Sequence, residues 1–276
     1  MKKFVSFILL FILCFTLSGC KEVSFDSSKG VLRVGLECAY APFNWTEVVK
    51  TDSNVPIKGK VSAYAEGYDV MIAKAIASDL GYQLEIHQYE FDGLIMALNN
   101  GAIDLIIAGM SPTEERKQSI NFSDAYYRSE HVILLKKTSS YVNAKTFEDL
   151  AGAEVIGQKG TLYDTLAKQL SEKNPMIKYQ NPLDTVNAIL IPLKADALDL
   201  TVLEEPVAIG ICAADSDFTY IKLESKFDVA DEDLDVAIGV RKIDAELLEQ
   251  INASLAKIST AQRNEYMTLA IELQSK

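Results

Sequence analysis

Two rhythms of apolar and polar residues trade places along this chain. Apolar runs of strand length fall at 31–36, 83–87 and 103–107, and stretches with helical spacing lie between them. Over 70–80 the residues Ile72, Ile76 and Leu80 recur every four positions, and Gly81 stands where a left-handed helix end is wanted. The segment 92–100 repeats that form and closes on Gly101. A second series follows. Strands are expected over 131–135, 154–157, 176–179, 198–203 and 235–240, with helices over 146–150 and 161–171. A helix starting near Leu183 meets Pro192, which should end or kink it. Pro206 opens another helix, and two amphipathic helices finish the chain. Strand and helix in turn predict an α/β protein. The stretch 44–66, with Pro56 and Gly59, keeps no strong period. It is long for a loop and is expected to form a hairpin or an excursion near a functional edge.

The start of the chain has a different logic. Lys2 and Lys3 precede a short apolar run from Phe4 to Leu17, and Leu17-Ser18-Gly19-Cys20 ends it. The run is short for a membrane span and reads as an export signal. Its last four residues resemble the bacterial lipobox, which implies cleavage before Cys20 and a diacylglycerol on its sulfur. An ordinary cleaved signal or an uncleaved anchor are the alternatives. Residues 20–29 would then be a lipid-anchored tether. Of the 27 basic residues, 25 remain after Lys2 and Lys3, against 39 acidic ones. Such a surface repels nucleic acid and anionic headgroups. Cys38 and Cys212 lie far apart without metal-type spacing, and are expected to be small buried hydrophobes rather than a disulfide framework.

The most informative stretch runs from Asp104 to Arg116. An apolar strand passes through Ala108 and Gly109 to Ser111, Pro112 and Glu114, which read as N-cap, first helical position and capping box. Arg116 breaks the local rule, because a first helical turn prefers an acid. A guanidinium beside unpaired N–H groups makes a receptor for a planar carboxylate. The alternative is a solvated arginine paired with Glu114 or Glu115.

Seven short motifs, in order, resemble the polar amino-acid-binding proteins of bacterial ABC importers, the group of the lysine/arginine/ornithine- and glutamine-binding proteins. They are Val34-Gly-Leu-Glu-Cys-Ala-Tyr-Ala-Pro-Phe43, Glu66-Gly-Tyr-Asp-Val70, Phe91-Asp-Gly-Leu-Ile95, Ser111 to Arg116, Asn121-Phe-Ser-Asp-Ala-Tyr126, Gln158-Lys-Gly-Thr161 and Glu204-Glu-Pro-Val-Ala208. The resemblance spans about Leu32 to Tyr266. It implies a two-lobe, type II periplasmic-binding-protein-like fold with two hinge strands and a ligand cleft between lobes. The first lobe would take 30–127 plus 233–276 and the second 128–232, with hinges near 126–128 and 231–235.

The resemblance also implies roles. Arg116 would hold the ligand α-carboxylate, helped by Ser111 and by Thr161 from the opposite lobe. Glu204 would hold the α-ammonium, or else cap the helix at Pro206. Tyr40 and Phe91 would sandwich the side chain, and Glu37 would face its distal cation. Ala108 and Gly109 stand where the family often has serines, and Leu162 replaces a second threonine, so hydroxyls are missing there. The expected ligand is a free cationic amino acid, arginine first, then lysine or histidine. A glutamine/glutamate or cystine-type binder is the alternative. The expected partners are an ABC permease with its ATPase, and the membrane through lipid on Cys20. The chain is expected to be extracytoplasmic and monomeric, and to use no cofactor. His87 and His131 lack metal spacing, and no nucleophile elbow or dinucleotide fingerprint occurs. A binding protein rather than an enzyme is expected. The enzymatic alternative is a cyclohexadienyl-dehydratase-like protein that would reuse Arg116, with Glu204 as general acid or base.

Overall fold

The computed structural model describes residues 23–274. The lipidation site Cys20 and the expected signal segment lie outside those residues. No helix among the described residues is long and apolar enough to cross a membrane.

Two five-stranded mixed sheets organise the molecule, each the core of one lobe. In the first, Val31–Leu36 is flanked by parallel partners Gln83–Gln88 and Leu105–Ile106. Asp235–Val240 then inserts antiparallel between Leu105–Ile106 and Asn121–Arg128. In the second, Glu154–Ile156 lies between parallel Lys178–Tyr179 and Leu200–Glu204. There His131–Lys136 inserts antiparallel between Leu200–Glu204 and Phe218–Ile221. The two sheets share one strand order, and in each the antiparallel insert is the strand that has just crossed from the other lobe. This is the two-lobe, type II arrangement. The crossings lie side by side, with Asp235 paired to Arg128 and the Ser129 amide donating to Leu234.

Local chemistry accounts for most elements. The helix Tyr68–Leu80 ends on Gly81 in the left-handed conformation, whose amide reaches back to the last turn. The helix Val186–Lys194 runs two residues past Pro192 before it stops. The region 44–66 forms an antiparallel sheet of Ala39–Tyr40, Asn44–Glu47, Tyr64–Glu66 and Val55–Pro56. Trp45 sits in it, its indole N–H donating to Glu47 at 2.7 Å.

Several expectations change. The helix before Arg116 is a single turn, Glu114–Lys117, and its N-cap is Thr113, not Ser111. The Ser111 carbonyl is taken instead by the Thr113 amide and the Arg116 guanidinium. In one turn Arg116 also counts as the last turn, where a base is favoured, so its helix position is no anomaly. The strands Asn121–Arg128 and Phe218–Ile221 escape the pattern reading. The first is bulged and half-buried, and the second is a short edge strand. Within the stretch 20–29, read from the sequence as a tether, Phe25 packs edge-on against Tyr82 at 5.4 Å and its amide donates to Asp244. Cys38 and Cys212 are both free thiols, the first buried and the second half-buried.

Candidate functional site

The carboxyl ends of the central strands of both sheets point at the gap between the lobes. Leu36 ends its strand just before Glu37 and Tyr40. Ile107 leads through Ala108 and Gly109 to Ser111. Ile156 leads to Gln158 and Thr161, and the strand Leu200–Glu204 ends on Glu204 itself. In open α/β sheets this is the edge where ligands bind.

The gap holds a narrow pocket of about 10 Å³, room for little more than a water. Of the sequence-expected residues, Glu37, Tyr40, Phe91, Gly109, Ser111, Arg116 and Thr161 line it. Ala108 does not. It is buried in the apolar cluster of Phe91, Leu94 and Met110. Glu204 lies one hydrogen bond behind the lining, reached through Tyr40.

Arg116 is half-buried, with its guanidinium carbon 5.2 Å from the centre of the Phe91 ring. Nη1 donates to the Ser111 carbonyl at 2.8 Å, and Nη2 crosses the gap to the Gly160 carbonyl at 3.1 Å. Burial pushes the guanidinium down to about 10, which leaves it cationic at neutral pH. Glu114 does not pair with it and engages Lys117 instead.

The acids are the unusual part. Glu204 occupies the N-cap position of the helix Glu205–Ala214, yet its side chain makes no capping bond. Its Oε2 accepts from the Tyr40 phenol at 2.8 Å, and the Tyr40 oxygen meets the Tyr163 hydroxyl at 2.6 Å. Glu37 accepts from Gln158 Nε2 at 2.9 Å, again across the gap. Burial pushes each carboxyl up to about 7, while the neutral donors pull weakly the other way. Neither acid has an ion-pair partner among the described residues. Two buried carboxyls that see only neutral donors favour the arrival of a cation.

Thr161 stands at the head of the helix Leu162–Lys173, but its hydroxyl donates to the Gln158 carbonyl at 2.6 Å. Gly109 has φ +62°, and a Cβ there would meet the Tyr40 ring at 2.9 Å. Only glycine lets the loop run under that aromatic. His131 touches the Tyr163 ring edge-on at 6.0 Å, and burial lowers it to about 4. It is therefore neutral and packs as an apolar wall.

Sequence reasoning missed Tyr163, which lines the cavity and bonds Tyr40. Its position on the apolar face of a helix carries no signal for this. Gln158 stood inside a quoted motif, but its reach to Glu37 over 121 residues of chain could not be read there.

Comparison with known proteins agrees with the two-lobe fold. Residues 32–267 match the profile of the bacterial extracellular solute-binding proteins, family 3. The arginine-binding extracellular protein of Bacillus subtilis is 30% identical over 260 residues, covering 94% of this chain and 93% of its own length. The glutamine-binding ABC transporter protein of the same organism is 33% identical over 220 residues, covering 77% of this chain and 75% of its own. Among solved structures, an amino acid ABC transporter substrate-binding protein from Streptococcus pneumoniae, bound to L-arginine, superposes with a TM-score of 0.77 at 29% identity. That match covers 91% of this chain and 98% of the other.

Proposed function

Since the chain belongs to the bacterial extracellular solute-binding proteins, family 3, we propose that it is the substrate-binding lipoprotein of an amino-acid ABC importer, with a free cationic L-amino acid as ligand. Arginine comes first, then lysine or histidine. The observation that carries the reading is the pair of buried carboxyls, Glu37 and Glu204, set around the cavity of Arg116 without a cation of their own.

The ligand α-carboxylate would lie on the Arg116 guanidinium, whose planar fork suits it, with Ser111 adding a donor and Thr161 another once its hydroxyl leaves the Gln158 carbonyl. The α-ammonium would take the place now held by phenol hydroxyls at Glu204. The side chain would then run between Tyr40 and Phe91 toward Glu37. Cation–π contacts to such rings contribute about 0.5–2 kcal/mol each. The bonds from Arg116 to Gly160 and from Glu37 to Gln158 join opposite lobes. Contacts of that kind are what a hinge motion makes and breaks, and lobe closure is the form an importer would recognise. An outward groove beyond Arg116 is rimmed by Asp92, Glu114, Asp228 and Asp233, a field that draws cations inward. Anchorage through Cys20 on the extracytoplasmic face, a monomeric state and a permease–ATPase partner complete the proposal.

Titration calorimetry with arginine, lysine, histidine, glutamine, glutamate and cystine tests it. Arginine is expected to bind with a dissociation constant near ~1 μM, roughly −8 kcal/mol, and Arg116→Ala to abolish measurable heat while the protein stays folded. Tight glutamine binding without arginine heat would overturn the cationic preference. Turnover of a cyclohexadienyl carboxylate would overturn the binding-protein reading.

A further inference from the structure

Beneath the ligand loops of the first lobe lies a buried carboxyl that the ligand reading leaves without a task. Asp69 is fully buried in the first turn of the helix Tyr68–Leu80. Its side chain does not serve that helix. Oδ2 accepts from Asn44 Nδ2 at 2.8 Å, and Oδ1 accepts from the Tyr126 phenol at 2.7 Å. Each donor has a second bond, and each second bond ends on a backbone amide of a ligand loop. Asn44 Oδ1 accepts from the Cys38 amide at 2.7 Å, between Glu37 and Tyr40. The Tyr126 oxygen accepts from the Gly109 amide at 3.2 Å, two residues before Ser111.

Both amides belong to residues in the left-handed region, Cys38 at φ +57° and Gly109 at φ +62°. For a residue with a Cβ that conformation costs about 1–2 kcal/mol. A loop holds it only where the surroundings over-determine it. Here the surroundings include one hydrogen-bonded branch from Asp69 to each loop, and the Gly109 amide also acts on the Asp69 carboxyl directly. Polarity runs one way in both branches. The group at the centre must accept on two sides, because both of its neighbours present donors. Tyr126 adds a link to the hinge, since it lies in the strand Asn121–Arg128 that leads out of the lobe. Its carbonyl is held by the Tyr68 hydroxyl at 2.7 Å.

We propose that Asp69 is a positioning residue of the ligand site: through Asn44 and Tyr126 it fixes Cys38 and Gly109, and so sets the loop of Glu37 and Tyr40 against the loop of Ser111 and Arg116. This rests on the cleft being the ligand site. A bystander acid would stabilise the lobe evenly. A positioning acid acts on two loops 71 residues apart in the chain and leaves the sheet alone.

Amide exchange followed by NMR on the ligand-free protein decides between them. Asp69→Ala is expected to speed exchange at both Cys38 and Gly109 by tenfold or more, with Val31–Leu36 and Gln83–Gln88 keeping their protection. Tyr126→Phe is expected to free Gly109 alone, and it keeps the question open to measurement should Asp69→Ala fail to fold. Calorimetry with arginine is expected to show at least tenfold weaker binding by Tyr126→Phe, although Tyr126 does not line the cavity. Unchanged exchange at Cys38 and Gly109, or an even loss of protection across the lobe, overturns the proposal. Absence of arginine heat from the unaltered protein would remove the ligand reading instead, while the exchange pattern would still decide whether Asp69 ties the loops.

Discussion

Two of the buried groups of charge among the described residues are built in opposite ways. At the base of the first lobe, Asp104 takes Arg33 at 2.6 Å and Arg241 at 3.2 Å, and Arg241 also meets Asp244 at 2.6 Å. The spare donor of Arg241 goes to the carbonyls of Leu98 and Ile103. Every charge there faces an opposite one. In the cleft, Glu37 and Glu204 are about as buried, at 3% and 2% exposure, and face only an amide and a phenol. Breaking a completed buried network costs stability, because it strands a charge. An incomplete one holds an affinity in reserve for a ligand of the missing sign, which is why perturbed acids gather at sites.

The contrast can be broken most directly at the base. Asp104→Ala takes from Arg33 its only carboxylate partner among the described residues and leaves Arg241 with Asp244 alone, and the expected loss is about 3 kcal/mol of unfolding free energy, read by calorimetric melting. Arginine affinity measured well below the melting point should stay within about threefold. A melting point that hardly moves would erase the distinction between the two clusters.

Glu204→Gln asks the reverse question. It removes an acid that has no counter-charge and keeps the shape, so the melting point should hold or rise. Arginine binding should weaken by about 2–3 kcal/mol, on the order of a hundredfold. A stability loss like that of Asp104→Ala would place Glu204 with the structural charges.

Titration sharpens the comparison further. Glu37 and Glu204 hold their protons up to about 7 in the folded chain, against about 4.3 when unfolded. The folded state therefore binds more protons between those values. The stability these groups contribute is complete below about pH 4.3 and is lost as pH rises through about 7. The melting-point difference between the unaltered protein and Glu204→Gln should follow that curve. A cationic ligand favours the ionised acids, so its affinity should climb toward pH 7 by up to tenfold per unit for each acid that must ionise. Calorimetry at pH 6 in buffers of different ionisation heat should register proton release, and equal heats in all buffers would count against the cation.

The smallest effect is expected at Tyr163. Its hydroxyl meets Tyr40 across the gap, so Tyr163→Phe weakens a contact that closes the lobes without ligand. A change in arginine affinity of about 1 kcal/mol, roughly fivefold, is expected. The double variant with Glu204→Gln should be less than additive if the two share one chain of hydrogen bonds.

Much of this was legible in one dimension. Strand and helix alternation depends on spacing along a few residues, so the elements at 31–36, 70–80 and 161–171 could be read from apolar periods. Elements whose faces are half wet, such as Asn121–Arg128, could not, because their pattern mixes both signals. The motif around Arg116 led to a residue that lines the gap between the lobes, but by a faulty route. Its environment comes from Phe91 and Gly160, not from a helix mouth.

The chain itself determined which side chains were on offer: an arginine, two acids and two aromatics, at the ends of segments that fold locally. Tertiary structure decided what each became. Desolvation depends on neighbours that arrive from more than a hundred residues away, as Gln158 does for Glu37 and Tyr40 for Glu204. Asp104 and Glu204 are both carboxylates at strand termini in the sequence, and only the folded lobes give one a pair of guanidinium partners and leave the other facing a phenol.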